Sequence, residues 1–349
     1  MLLVVATVSA ELTTVSAQIY KVADLGALGG SGSEAWGINN NGQVVGYFNT
    51  TSGAQLAFSY SGGVMTGLGT LGGADSMAYG INSNGQVVGY ADIASGFGYA
   101  FLYSGGVMTD LGALGGVSSC ALGINNNGQV VGEAGTARGI NYWDAFLYSG
   151  GVMTDLGTLG GNVSQANSIN NNGQVAGYAY TASGAEHAFL YSDGTMADLG
   201  TLGGSTSEAY GINNNGQIVG YAYTAGGAEH AFLYSGGVMK DLGALGGNFS
   251  LAYGINNNGQ VVGYAITRSG DHAFLYSGGA MVDLNTLIST NSGWKLESAQ
   301  AINDDGQIVG YGINPAGRTD AFLLTPVPEP AILGLLVFGS VGFLLRRCR

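Results

Sequence analysis

Apolar and polar positions along this chain alternate in a pattern that restarts at a nearly fixed interval. Residues 255–264 read I-N-N-N-G-Q-V-V-G-Y, and close copies place Gln43, Gln86, Gln129, Gln174, Gln217, Gln260 and Gln307 at the same point, 43, 43, 45, 43, 43 and 47 residues apart. An apolar segment, an Asn-Asn-Asn-Gly tetrapeptide and a second apolar segment predict a β-hairpin, with Asn and Gly suited to the positive φ of tight turns. In the fifth copy the pattern predicts strands over 206–213, 217–223, 230–235 and 238–242. An N-N-G turn, a Gly- and Ala-rich loop and a Gly-Gly turn separate them, and the loop G-A-L-G-G follows. Helical periodicity is absent from this region, and a long β-solenoid would use shorter coils.

Four strands in about 43 residues are the unit of a β-propeller blade. Seven copies predict an all-β, seven-bladed β-propeller spanning 18–325, as one continuous body. The chain enters on a strand of the V-M-K-D-L type, 19–25, and leaves on one of the H-A-F-L-Y-S type, 320–325. Internal repeats join those two types as a hairpin, so the N-terminal strand is expected to complete the last blade and remove both free edges. The S-x-A-x-G-I-N strand is then innermost, its small residues (Ala35 and Gly37, Ala209 and Gly211) suiting a crowded axis. One face carries the tight turns and the other the variable loops at 135–144, 267–271, 289–297 and 314–320, where binding residues are expected.

Composition refines this picture. The 65 glycines among 349 residues recur at fixed places beside many Val, Ile, Leu, Phe and Tyr, which indicates turns and not disorder. A net charge of −13 reflects a shortage of basic residues, and Arg346, Arg347 and Arg349 sit at the extreme C-terminus, so nucleic acid is not an expected partner. Two cysteines, Cys120 and Cys348, give no disulfide framework. Cys120 occupies a variable position that holds Glu34, Met77, Gln165, Glu208 and Leu251 elsewhere, and reads as a tolerated thiol.

The two ends differ from the repeats. Residues 1–8 are largely apolar, and Val15-Ser16-Ala17 precedes Gln18, the pattern of a secretory signal peptide over 1–17, although no Lys or Arg stands before Lys21. After Thr325, Pro326-Val327-Pro328-Glu329-Pro330 leads into an uncharged stretch, 331–345, read as a short hydrophobic helix. At about 1.5 Å per residue it spans roughly 22 Å, less than the hydrocarbon core, and the following arginines would keep its end cytoplasmic.

On these residues two resemblances become specific. Val327-Pro328-Glu329-Pro330, the apolar stretch and the R-R-C-R end closely resemble the PEP-CTERM sorting signal. That resemblance implies recognition by a membrane exosortase in Gram-negative bacteria that make exopolysaccharide. It also implies export, transient inner-membrane anchoring through 331–345, and cleavage with release to the cell surface or extracellular matrix. The repeats over nearly all of 18–325 resemble the HAF family of extracellular repeat proteins, whose tripeptide stands here at His187-Ala188-Phe189, His230-Ala231-Phe232 and His272-Ala273-Phe274. Leu56, Tyr99, Asp144 and Asp320 replace the histidine elsewhere, and the family carries no activity to transfer.

No catalytic motif stands out. The three histidines lie on equivalent strands of different blades, too far apart for one metal with ligands at about 2.0–2.1 Å. The Asn-rich turns, ending in Asn303-Asp304-Asp305-Gly306, resemble calcium loops but lack later carboxylates, so no metal and no cofactor is expected. Loop carboxylates Glu133, Asp144, Glu186, Glu229 and Asp271 leave a glycoside-cleaving enzyme open as an alternative, with nothing to select a pair. Tyr142, Trp143 and Trp294 are placed to stack on sugar rings, and Arg138, Arg268 and Arg318 to meet acidic groups of a polysaccharide; the rings would otherwise cap their own blades. The repeated Tyr and Phe within strands read as core or sheet-face residues. The expected function is that of an exported, non-catalytic binding module for exopolysaccharide or a surface protein, with a polysaccharide hydrolase or lyase, or a structural matrix scaffold, as alternatives.

Overall fold

The computed structural model describes residues 20–328. The expected signal peptide over 1–17 and helix over 331–345, with Glu329, Pro330, Arg346, Arg347 and Arg349, lie outside the described residues; Val327 and Pro328 end them without regular structure. Among the described residues no helix is long and apolar enough to cross a membrane. Apart from two 3-10 turns, Leu284–Thr286 and Thr290–Ser292, the regular structure is β-strand.

Each repeat forms the four antiparallel strands that its pattern predicts. In the fifth copy these are Gly203–Ile212, Ile218–Thr224, Glu229–Ser235 and Val238–Asp241, paired in that order. The first strand begins earlier than expected because part of the G-T-L-G-G segment joins it. Five sheets have four strands, and an eight-stranded sheet consists of two such units joined by a single parallel bridge, Trp143 to Val163. The N-terminal strand Tyr20–Asp24 pairs with Thr319–Pro326, from Tyr20 opposite Pro326 to Asp24 opposite Phe322.

The Asn-rich turn owes its sequence to side-chain hydrogen bonding. None of its asparagines has positive φ; only the glycine does, as at Gly216 with φ 72°. This corrects the expectation that Asn was chosen for its backbone. Asn213 is 4% exposed and its amide uses all its capacity. Its Oδ1 accepts from the backbone N–H of Asn215 and of Gln217, both at 3.0 Å. Its Nδ2 donates to Gln217 Oε1 at 2.8 Å and to the backbone carbonyl of Asn256 in the next copy at 3.0 Å. The same link runs from Asn39 through Asn82, Asn125, Asn170 and Asn256, and Asn303 donates back to the Asn39 carbonyl at 3.1 Å.

Apolar burial follows the same circuit. Phe58, Phe101, Phe146, Phe189, Phe232, Phe274 and Phe322 are completely buried, each on the third strand of its repeat. The core lies between neighbouring sheets: Val45, Ala57 and Leu68 of the first copy pack with Ala78, Val87 and Phe101 of the second. The last copy meets the first through Val309 and Ala321 against Ala35, Val44 and Phe58. At the far end of each sheet, Gly62 and Gly63 take φ 57° and 86°, as a two-residue hairpin with matching twist requires.

The third Asn of the turn adds a second circuit, which breaks at one place. Asn215 Nδ2 donates to the Asn257 carbonyl at 3.0 Å and Asn258 Nδ2 to that of Asp304 at 2.9 Å, but the equivalent residue in the last copy is Asp305, whose ionised carboxylate has no proton to donate. Asn213→Ala should therefore lower stability by about 2–4 kcal/mol, since it strands buried backbone donors and a carbonyl. Asp305→Asn should raise it by about 0.5–1.5 kcal/mol by completing the circuit. Guanidinium unfolding of both variants checks the pair, and a loss on Asp305→Asn would contradict the hydrogen-bond account.

Candidate functional site

A β-bulge in every repeat builds the most distinctive concave feature of the molecule. On the first strand of the fifth copy Ala209 pairs with Gly220 and Gly211 with Val219, leaving Tyr210 as the extra residue. The other copies repeat the shift, and the extra residues are Trp36, Tyr79, Leu122, Asn167, Tyr253 and Gln300. Such a bulge re-aims one side chain out of the sheet pattern. Two glycines allow it. A Cβ on Gly220 would run into the Glu208 carbonyl, and one on Gly211 would lie 2.8 Å from the Tyr253 carbonyl of the next copy.

All seven bulge residues face one cavity of about 410 Å³, with the Gly and Ile positions of the same strands completing its wall. Tyr210 and Tyr253 lie 5.2 Å apart, Trp36 and Tyr79 5.6 Å, and Tyr264 stacks on Tyr253 at 5.9 Å. Asn167 and Gln165 are joined at 2.7 Å, and Asn167 donates to the Ala209 carbonyl at 2.7 Å. The repeated tyrosines are thus not all core or sheet-face residues, as expected from the sequence: those at the bulge line a cavity. The Asn-rich turns enclose a smaller polar recess of about 160 Å³. There the Asp304 carboxylate, the calcium-like position, accepts from Asn257 N, Asn257 Nδ2 and Asn40 Nδ2 at 2.8–2.9 Å.

Two residues before the bulge residue stand Glu34 and Glu208, and Glu133 pairs across the sheet from the equivalent Cys120. Glu208 accepts hydrogen bonds from the hydroxyls of Tyr210 and Tyr221, each at 2.7 Å. Burial, then the neighbouring Glu186, pushes its carboxyl up to about 7 against the pull of those tyrosines. Burial alone pushes Glu133 to about 7, and burial also raises Glu34. Tyr79 lies within electrostatic reach of Glu34 and Glu133, and Tyr178 of Glu133 and Glu208. None of the six ion pairs among the described residues involves them.

The residues singled out from the sequence do not gather at this cavity. The 135–144 segment is not a loop but a hairpin extension: strands Val130–Thr136 and Gly139–Ser149 continue through it, and Trp143 pairs with Gly135. Arg138 is bound to the buried Asp144 and lies over Tyr142, 4.9 Å from the ring centre. Arg318 donates to the fully buried Asp320 at 2.9 Å, and Trp294 packs edge-on to Phe322 at 6.2 Å. Two of the three arginines are therefore committed to internal carboxylates, and Trp294 caps its own sheet. Arg268 is exposed at a hairpin turn and makes no ion pair among the described residues.

The histidines also have partners that sequence spacing did not reveal. His187, His230 and His272 hold Asp198, Asp241 and Asp283 at 2.8, 3.0 and 2.6 Å, eleven residues on, across the third and fourth strands. Asp144 and Asp320 replace such histidines, and each carboxyl is bound instead by an arginine.

Glu133 makes stability depend on pH. Its folded proton affinity exceeds its unfolded one, so its contribution is intact below about 4.5 and is lost as pH rises towards 7. Between those limits the loss should be on the order of 3 kcal/mol, and Glu133→Gln should remove this slope while stabilising the protein at pH 8. Thermal melts from pH 4.5 to 8 read both effects; an unchanged slope in the variant would refute the assignment.

No family model matches the chain, and no curated protein matches it. Solved structures do. The β-propeller domain of the Trilobed protease from Pyrococcus furiosus superposes with a TM-score of 0.56 at 8% identity, over 91% of this chain and 99% of that one. Its topology is described as an open velcro. A puromycin-hydrolyzing peptidase from Mycobacterium tuberculosis gives 0.56 at 11% identity over 90% of this chain, and TolB from Acinetobacter baumannii 0.48 at 12% over 86%. The chain spans only 54% of that peptidase and 65% of TolB. At such identities the likeness concerns the fold alone, and the fold is that of a β-propeller.

Proposed function

We propose that this chain is an exported, non-catalytic binding module: a seven-bladed propeller, closed by pairing of its first and last strands, whose central cavity takes up a segment of exopolysaccharide. The observation that carries this reading is the contrast between scaffold and cavity. Scaffold positions such as the Asn of the turn and the Phe of the third strand are the same in all seven copies, whereas the bulge positions hold Trp, Tyr, Leu, Asn and Gln. Variation at side chains that share one cavity, on a scaffold repeated around it, is what a ligand site on a repeat protein requires. Aromatic walls with a few polar groups suit the apolar faces and hydroxyls of sugar rings, and the volume falls within the roughly 300–1,000 Å³ of small-molecule sites.

Export and surface display rest on the resemblance of the C-terminal segment to the PEP-CTERM signal, with an exosortase as processing partner and the inner membrane as a transient station. Replacing Pro328, Glu329 and Pro330 with Ala should leave the protein membrane-bound; normal release of that variant would sink the sorting reading. A polysaccharide hydrolase or lyase is favoured by one observation only, the raised proton affinity of Glu208, which is hydrogen-bonded to the cavity residue Tyr210.

Mixing the full chain with exopolysaccharide from its producer and assaying cosedimentation and new reducing ends distinguishes these readings. Binding without cleavage, reduced at least tenfold by Trp36→Ala with Tyr253→Ala, is the expected result. Cleavage would make it an enzyme, and binding untouched by the cavity variants would move the site elsewhere. Silence in both assays would favour a surface-protein partner or a scaffold.

A further inference from the structure

The turn face carries a chemistry that the cavity does not use. Six of the seven Asn-rich turns end in Asn-Gly, at Asn41, Asn84, Asn127, Asn172, Asn215 and Asn258, and the seventh ends in Asp305-Gly306. All six asparagines are exposed, and Gln follows each glycine, so the local sequence gives them near-equal intrinsic reactivity. An Asn followed by Gly can lose its amide without an enzyme, since glycine has no side chain to obstruct the attack. The glycine backbone nitrogen bonds to Cγ, the Cγ–Nδ2 bond breaks, and ammonia leaves with the proton that the glycine nitrogen gives up. Water then opens the resulting succinimide at either carbonyl, giving Asp or isoaspartate.

The fold restrains both reacting groups. In each of the six turns the glycine N–H donates to the carbonyl of the first Asn at 3.0–3.1 Å, and the Nδ2 that must leave donates to a carbonyl of the next copy at 2.9–3.1 Å. Reaction therefore waits for the turn to open, and its rate follows the population of the open form. The middle residue of the turn sets how firmly each turn is tied down. Its backbone N–H donates to the equivalent side chain of the next copy, as Asn126 does to Asn171 Oδ1 at 2.9 Å, and its carbonyl accepts from the third Asn of the previous copy, as Asn126 does from Asn84 at 3.1 Å. Six of the seven middle residues make both bonds. Asn40 makes neither among the described residues. The next copy offers it Ser83 in place of an amide or carboxylate acceptor, and the previous copy offers Asp305, whose carboxylate has no proton to donate.

We infer that Asn41 is a site of spontaneous deamidation in the folded protein, singled out from five chemically similar Asn-Gly pairs by the two bonds missing at Asn40. Conversion ends the donation from Asn41 Nδ2 to the Ser83 carbonyl and places a new carboxylate in the turn that already touches Asp304. The outer circuit is then open on both sides of the first turn. Where the product is isoaspartate, the extra backbone atom also disturbs the hairpin that Asn39 closes.

Peptide mapping by mass spectrometry tests it, on the full chain held for days at pH 8 and 37 °C and on the same chain in urea. Each folded rate is read against the urea rate of the same site, which removes any difference in intrinsic reactivity. On that scale Asn41 should convert about tenfold faster than the other five, as two missing hydrogen bonds in the closed turn require. Ser83→Asn with Asp305→Asn supplies the acceptor and the donor, and should bring Asn41 down to the rate of the others while leaving its urea rate unchanged. Either substitution alone should lower it part of the way, so a misfolded double variant leaves two further readings. Ratios within about twofold of one another at all six sites, or another site in the lead, would overturn the inference. So would an Asn41 rate that the substitutions leave unchanged, or a folded chain intact at Asn41 after the urea sample has converted.

Discussion

One buried asparagine per repeat holds this molecule together. An Asn side chain in an apolar setting is costly unless both lone pairs and both amide protons are used, and at Asn213 all four are, within one turn and one neighbouring carbonyl. Three of these bonds close the hairpin on itself and the fourth ties it to the next copy. Because Asn303 reaches Asn39, the last turn is tied to the first by the bond that ties every other pair. Repeat spacing can then vary from 43 to 47 residues without disturbing the circuit, since the extra residues fall outside it.

The bulge that follows from the same hairpin turns a rigid scaffold into a variable surface. Gly220 and its equivalents leave room for the displaced carbonyl, and the small residue after the bulge lets neighbouring first strands approach. The displaced side chain leaves the alternation of its own sheet and faces the cavity, and its identity changes from copy to copy. Aromatic bulge residues meet across copies, as Tyr210 does with Tyr253, and the Asn167 amide ties two copies together through the Ala209 carbonyl.

Charge is distributed by the same logic. Outer positions pair their carboxylates with histidine or arginine side chains, His187 with Asp198 and Arg318 with Asp320, in contacts that staple the third strand. Inner positions do not, and Glu133 and Glu208 meet burial with raised proton affinity in place of a cation. Arg138 and Arg318 are spent on the first task, and Glu133 and Glu208 stay without a basic partner among the described residues.

The sequence by itself determined the repeat, the four strands of each copy, their order and the strand type at each end, because period-2 apolar runs punctuated by Gly report local geometry directly. It also placed the fully buried phenylalanines. It did not reveal why the turn is Asn-rich, since Asn213 is explained by a carbonyl 43 residues away. Nor did it distinguish Tyr210 from a sheet-face tyrosine, because a bulge is a mismatch between two strands and neither strand carries it alone. The constant Gly after V-V and the changing residue that follows the Ala opposite it were the local traces. The partners of Arg138, Arg318 and Trp294 were not legible for the same reason: exposure and pairing depend on what the neighbouring strand brings. Tertiary structure decided which side chains share a cavity, because that grouping comes from placing the same register position of successive copies around one space.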